Sequence, residues 1–260
     1  MENIPQQSQS QEFQSPYDVI DLPSGGFAYK NKLSKVKVEY LNALDESILT
    51  SPNIMRSGKF IDVLIKRKVK DLGGMDHSEL LLGDRIAIIM FLRITGFGPM
   101  YRVPVRLDSD PNKIVEGEVD LSSIKPKKIG ATPDDRGEFE FKLPMSGKIV
   151  KFRFLTSRDE SEIDAKDEIY SQRNTDGVSE KARLKLESMI MEIDGQRDKL
   201  KISGMLGKIS LGDSLALKKY YSEIEPGLDL NVEIRIPGGE SVRTFLPLGA
   251  NFFGIEWWIP

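Results

Sequence analysis

The stretch Val36-Lys-Val-Glu-Tyr-Leu-Asn-Ala-Leu-Asp-Glu-Ser47 aligns without a gap with Val150-Lys-Phe-Arg-Phe-Leu-Thr-Ser-Arg-Asp-Glu-Ser161. The two stretches share Val, Lys, Leu, Asp, Glu and Ser in the same order. In both, apolar residues alternate with polar ones and then give way to Asp-Glu-Ser, a pattern typical of a half-buried strand that leads into a helix. The chain therefore carries the same strand-to-helix signal twice.

Two further landmarks repeat in the same order. Residues 83–107 are in register with residues 212–236, and both segments predict a helix followed by a β-hairpin. A Leu-Pro turn precedes each copy, Leu22-Pro-Ser-Gly-Gly26 in the first and Leu143-Pro-Met-Ser-Gly147 in the second. We therefore predict an α+β fold made of two related modules from an internal duplication, each with a strand, helices, a further helix and a β-hairpin.

The landmarks also predict boundaries along the chain. The interval from Asp45 to Asp84 is 39 positions and that from Asp159 to Asp213 is 54, so the second copy carries 54 − 39 = 15 extra residues. An apolar stripe predicts that a helix over residues 179–193 takes up part of this length. The predicted segments are a disordered polar tail (1–16), a first module (17–124), a linker (125–139), a second module (140–250) and an aromatic C-terminal segment (251–260).

Composition excludes several classes of function. No apolar run approaches the roughly 18–20 residues of a membrane span, and the Gln- and Ser-rich start does not resemble an export signal. The chain has no cysteine, which excludes disulfides and thiolate chemistry. Its 37 basic and 40 acidic side chains are interspersed, so we expect neither a basic face nor a nucleic-acid partner.

The order of short motifs resembles a known family. Leu22-Pro-Ser-Gly-Gly26 is followed by Tyr29, a Val-x-Val strand that runs into Asp-Glu over residues 36–49, a Leu-x-x-Asp-Arg helix at Leu81, and Gly98-x-x-Tyr101. This order resembles the T4-type bacteriophage baseplate hub assembly proteins, with a weaker likeness over residues 143–163.

The resemblance implies a viral, non-enzymatic protein that builds the hub of a contractile tail or forms part of it. Its partners would be other phage tail or baseplate hub proteins, with no small-molecule substrate. Its location would be the cytoplasm of the infected host or, if it stays in the particle, the tail baseplate. Many members of that family carry a Cys-x-x-Cys pair in the hairpin region, and this chain has none, so we expect no metal and no cofactor.

The acidic residues at matched positions are the candidates for chemistry. They could converge as a carboxylate cluster in a metal-dependent hydrolase, which is the alternative function. Each also stands where a helix is predicted to begin, where capping and the helix dipole explain an acid, so we predict a structural role and no catalytic residue. The predicted structural motif comprises Leu22, Pro23, Gly25, Gly26, Asp45, Glu46, Asp84, Asp159, Glu160 and Asp213.

The C-terminal stretch Asn251-Phe-Phe-Gly-Ile-Glu-Trp-Trp-Ile-Pro260 contains both tryptophans of the chain. Large aromatic side chains either pack back on their own module or fill pockets on a partner. Both readings stay open, and the second makes Phe252, Phe253, Trp257 and Trp258 the predicted partner-binding residues. The basic run Lys66-Arg67-Lys68 is predicted to be a solvated helix end.

Overall fold

The computed structural model describes residues 15–56, 59–107, 110–173, 178–246, 248 and 250–253. In the first half of the chain, three strands form an antiparallel sheet in the order β1-β2-β3. Val36 and Val38 of the middle strand are buried while Lys35 is exposed, so the period-two pattern of the sequence places one face of the sheet in the core. The strands are β1 (Tyr17–Asp21), β2 (Lys35–Glu39) and β3 (Val69–Lys70), and the helices between β2 and β3 are α1 (Glu46–Leu49), α2 (Pro52–Arg56) and α3 (Phe60–Lys68).

The second half contains an antiparallel sheet with the same order of strands, β6-β7-β8. Val150 and Phe152 are buried in its middle strand, at the positions that align with Val36 and Val38. Helices again connect the second strand to the third. The elements are β6 (Phe139–Lys142), β7 (Ile149–Phe152), α5 (Ser157–Arg173), α6 (Lys181–Met189) and β8 (Ile190–Ile193).

Each half continues with a helix and a β-hairpin, and the two hairpins join in one four-stranded antiparallel sheet, β10-β9-β5-β4. Glu118 of β5 pairs with Arg235 of β9 where the hairpins meet. A further helix precedes the long helix of the second half. The elements are α4 (Leu82–Phe97), β4 (Met100–Leu107) and β5 (Asp110–Asp120) in the first half, and α7 (Lys199–Leu206), α8 (Leu211–Ile224), β9 (Asn231–Arg235) and β10 (Ser241–Phe245) in the second.

The predicted α+β class is confirmed, and the elements of the two halves follow in the same order. The helix predicted over residues 179–193 is wrong at its end, because α6 stops at Met189 and residues 190–193 form β8. Ile190 and Ile193 are both fully buried and pair with Phe152 and Val150 of β7. The apolar stripe fits a helix, but the chain buries these two side chains by adding a strand to the sheet.

The two halves contact each other directly through backbone groups. The Ser157 N–H donates to the Leu80 carbonyl oxygen at 3.1 Å. Lys127, in the predicted linker, donates its N–H to the Gly227 carbonyl oxygen at 2.8 Å. At a third point, a Cβ on Gly83 would lie 1.7 Å from the Pro226 carbonyl oxygen, so only glycine fits there. These contacts place the N-terminal ends of α4 and α5 side by side.

Candidate functional site between the two halves

Asp84 holds the first Leu-Pro turn against the start of α4. Its Oδ1 accepts the Ser24 backbone N–H at 2.9 Å, and its Oδ2 accepts the Ser24 hydroxyl at 2.6 Å and the Tyr29 hydroxyl at 2.5 Å. Burial raises the pKa of Asp84, and the hydrogen bonds from Ser24 and Tyr29 offset only part of that increase. The turn needs glycine at Gly26, where φ is +79° and a Cβ would lie 2.7 Å from the Lys32 carbonyl oxygen.

Asp213 makes the corresponding contact in the second half. Its Oδ1 accepts the Met145 N–H at 2.7 Å and its Oδ2 accepts the Ser146 N–H at 3.1 Å. Burial raises the pKa of Asp213, but the hydrogen bonds from Met145 and Ser146 outweigh it and hold this pKa below its usual value. Asp84 and Asp213 therefore each join a helix to the turn that opens their own half.

Asp45 and Asp159 both close the strand-to-helix connection. Asp45 Oδ2 accepts the Asn42 N–H at 2.8 Å, and Asp159 Oδ2 accepts the Thr156 N–H at 2.8 Å. These are the reciprocal bonds of a helix N-terminus. Asp159 also binds Arg153 through both carboxylate oxygens, at 2.7 and 2.8 Å.

Asp45 is buried together with Lys68, a side chain that the sequence predicts to be at the surface. Lys68 Nζ lies 2.5 Å from Asp45 Oδ2, and both side chains are almost fully buried. The prediction that Lys68 belongs to a solvated helix end is therefore wrong. Arg67, its neighbour in that run, is partly exposed and places its Nε 3.1 Å from Asp45 Oδ1.

The structure does not bring the predicted motif residues together at one site. Each of the four aspartates has its own local partners, Glu46 is exposed in the first turn of α1, and Glu160 faces the gap between the halves. In the turn, Leu22 is buried, Pro23 is half-buried and Gly25 is exposed. Within the described part of the chain, no three His, Cys, Asp or Glu side chains form a group that could hold a metal ion.

Phe252 and Phe253 pack inside the first half, so their assignment as partner-binding residues is wrong. Both are fully buried, and the Phe253 ring lies 5.9 Å from that of Phe60. Arg93 of α4 fixes this segment by donating its Nε–H to the Phe252 carbonyl oxygen at 2.8 Å. Trp257 and Trp258 lie outside the described residues.

A groove of about 1040 Å³ lies between the two halves. One wall is apolar and comes from α3, α4 and the end of β10, including Ile61, Ile86 and Phe245. The opposite wall is the face of α5, on which small and acidic side chains alternate. The α5 residues of that wall are Ser157, Glu160, Ser161, Asp164, Ala165 and Glu168.

Carboxylates outnumber cations along this groove. Asp62 pairs with Arg85, and Asp164 binds Lys181 at 2.8 Å outside the lining. Burial raises the pKa of Glu160 and, across the groove, that of Glu225. The charge of Glu160 adds to the increase at Glu225. A positive charge that entered the groove would stabilise both ionised carboxylates.

Ser157 adds a hydrogen-bonding group to the groove wall. Its side chain is almost fully buried, and its hydroxyl has no hydrogen-bond partner among the described residues. A buried hydroxyl without a partner carries a cost in free energy, which an incoming donor or acceptor would remove. The groove therefore offers apolar surface, excess negative charge and one unused polar group.

Comparisons with protein-family models, with curated proteins and with solved structures gave no match. No helix in the described ranges has the length and apolar character that crossing a membrane requires. Sequence reasoning missed the groove, because its walls come from segments about 100 residues apart, and only the alternation of small and acidic residues in α5 could have indicated it.

Proposed function

We propose that this protein acts without catalysis, through protein–protein contacts, in the assembly or structure of a phage tail baseplate hub. Its partners would be other tail or hub proteins, met in the cytoplasm of the infected host or in the tail itself. The observation that carries the proposal is the groove, because its apolar wall and surplus carboxylates suit a protein partner.

The use of the matched acids also supports this proposal. Asp45, Asp84, Asp159 and Asp213 are each engaged in hydrogen bonds that hold a turn or a helix start. The alternative, a metal-dependent hydrolase, requires carboxylates that converge, and no observation on the described residues favours it. We also propose that the two halves arose by duplication, in keeping with their common element order and with the matched aspartate contacts.

Capture from infected cells tests the role of the groove. Phe245 lines the groove and is 61% exposed, whereas Ile114 of β5 is 59% exposed and does not line it. Tagged wild-type protein and the Ile114→Asp variant should co-purify with tail or hub proteins, identified by mass spectrometry, and Phe245→Asp should lose them. Equal recovery of hub proteins by both variants would contradict a groove-based contact, and recovery of none by wild type would contradict the proposed function.

A C-terminal truncation tests the two tryptophans. Removal of residues 254–260 keeps Phe252 and Phe253 in the core but removes Trp257 and Trp258. If the tryptophans bind a partner, the truncated protein should keep its thermal stability and lose that partner in the same capture experiment. Unchanged capture would assign the binding to the groove alone.

A further inference from the structure

The internal contact between the two halves uses a surface whose counterpart in the second half is exposed. In the first half, Gly83 at the start of α4 is buried against Pro226 of the second half, and Leu82 and Ile86 beside it are half-buried in the groove between the halves. The register that matches Asp84 with Asp213 makes Leu211, Gly212 and Leu215 their counterparts. Leu211 is 74% exposed and Leu215 is 56% exposed, so two apolar side chains one helical turn apart face solvent at the start of α8. We call this surface the α8 face.

The surface that covers α4 also has an exposed counterpart, in the first half. The covering surface is formed by the start of α5 at Ser157 and by Pro226. The register that matches Asp84 with Asp213 makes Phe97 the counterpart of Pro226, and the alignment of residues 36–47 with 150–161 makes Ala43, next to Leu44, the counterpart of Ser157. Leu44 is 69% exposed and Phe97 is 44% exposed. We call this surface the 43/97 face.

The two segments of the 43/97 face are neighbours in space. A Cβ on Gly96 would lie 2.9 Å from Leu41 Cδ1, so the end of α4 touches the segment that leads into α1. The face is therefore built from the same elements as the covering surface of the second half. In each case the start of a helix lies beside the end of the long helix that carries the matched aspartate, α4 in the first half and α8 in the second. Each half presents one surface of each kind, and the internal contact uses only one of each.

The two outer strands of the four-stranded sheet are the counterparts of the two strands that pair between the halves. Inside the molecule, β5 of the first half pairs with β9 of the second. The counterparts of these strands are β10 and β4, and they are the two outer strands of the sheet. Among the described residues, the second half thus ends in a β10 with an unpaired outer edge, and the first half ends in a β4 with an unpaired outer edge.

We propose that a second copy of this chain docks its 43/97 face on the α8 face and so repeats the internal contact between molecules. The contact is head to tail, and such heterologous contacts build rings or open chains rather than two-fold dimers. The internal contact argues for this occupant, because the second half already covers the start of α4 with the same kind of surface. The inference goes beyond the proposed function, since it concerns the chain binding itself.

A pair of glycine substitutions tests the geometry of this contact. The internal contact leaves no room for a Cβ at Gly83, so its repeat should leave none at Gly212. In the free chain, a Cβ at Gly212 meets only the Met145 side chain, which is 70% exposed and can move aside. Gly212→Ala should therefore fold normally and weaken self-association more than about tenfold, whereas Gly204→Ala in α7, where a Cβ meets nothing within 4 Å, should leave it unchanged.

A mixing experiment tests whether the contact is head to tail. Leu211→Glu blocks only the α8 face and Leu44→Glu blocks only the 43/97 face, so each variant alone should be monomeric by sedimentation velocity. A 1:1 mixture retains one intact face of each kind and should form a species with the mass of two chains and no larger one. Circular dichroism and thermal unfolding check that both variants fold, and Val19→Glu, at an exposed site on β1, serves as the control.

Three results would overturn the proposal. The first is a wild-type chain that stays monomeric at the highest soluble concentration. The second is a mixture of Leu211→Glu and Leu44→Glu that stays monomeric while wild type associates, which indicates a two-fold or unrelated contact. The third is equal self-association of the Gly212→Ala and Gly204→Ala variants.

Discussion

The aspartate contacts of the two halves share a bonding scheme and differ in their surroundings. Asp84 and Asp213 each accept a backbone N–H from the Leu-Pro turn of their own half. Asp84 also accepts two hydroxyl groups, from Ser24 and Tyr29, deep in the core, while Asp213 lies beneath a turn whose Met145 is exposed. The same aspartate-to-turn contact thus occurs in both halves. Other residues pack over the turn in the first half, whereas the turn in the second half is exposed.

The largest expected effect concerns the aromatic segment that packs on the first half only. Phe253 is fully buried against Phe60 and Phe97, so Phe253→Ala should lower the free energy of unfolding by about 3–5 kcal/mol in urea denaturation. Phe245→Ala, at an exposed site, should change it by less than about 0.5 kcal/mol. A loss for Phe253→Ala as small as that for Phe245→Ala would mean that this segment does not stabilise the core.

The next largest effect is a difference in stability loss between the Asp84→Ala and Asp213→Ala variants. Asp84→Ala leaves the Ser24 N–H and two hydroxyl groups without their acceptor in the core, and should cost about 2–4 kcal/mol of unfolding free energy. Asp213→Ala should cost less, because water can reach the exposed turn at Met145. Urea denaturation of both variants measures the difference, and equal losses would remove the distinction between a covered and an open half.

Substitution of the two matched glycines by alanine should change the stability of the protein in opposite directions. Gly83→Ala forces a Cβ against the Pro226 carbonyl oxygen and should destabilise the protein by about 1–3 kcal/mol. Gly212→Ala displaces only the Met145 side chain and gains helix propensity, so it should stabilise the monomer by up to about 1 kcal/mol. Thermal unfolding of both variants checks this, and a destabilised Gly212→Ala would show that the α8 face is already covered within one chain.

The smallest effect is a difference in pH dependence. The folded-state pKa of Asp84 is raised, so its contribution to stability decreases as pH rises above about 4, the unfolded value. The folded-state pKa of Asp213 is lowered, so its contribution is present above about 4 and is lost as pH falls below that value. The stability difference between wild type and Asp84→Asn should therefore shrink with rising pH, and that for Asp213→Asn should grow. Slopes of the same sign in urea denaturation at several pH values would contradict this.

Local signals in the sequence predicted the local structure well. The alternation around Val36 and Val150 and the acids after it gave both strands and both helix starts, because period-two burial and capping depend on neighbours along the chain. Residues 190–193 were predicted wrongly because an apolar stripe with Ile190 and Ile193 fits a buried strand as well as a helix. Only the pairing with β7 decides between the two, and pairing is a tertiary property.

Long-range partners account for what the sequence could not predict. The matched positions of Asp84 and Asp213 were visible, but the turns that they bind lie 60 and about 68 residues away. Lys68 was assigned to the surface because lysine is rarely buried, and only the position of Asp45 explains its burial. The aromatic cluster around Phe252 and Phe253 indicated that these side chains are buried, either in the core or on a partner. Only the contact with Arg93, which is distant in the sequence, places them in the core.

The contact between Phe60 and Phe253 has a consequence for synthesis on the ribosome. The two rings are separated by 253 − 60 = 193 positions in the chain, which translation covers in roughly 10–40 s. Both α3 and α4 are made early in that interval and lack the aromatic rings that fill the space against them for the rest of it. The first half is therefore completed only after most of the second half has been made.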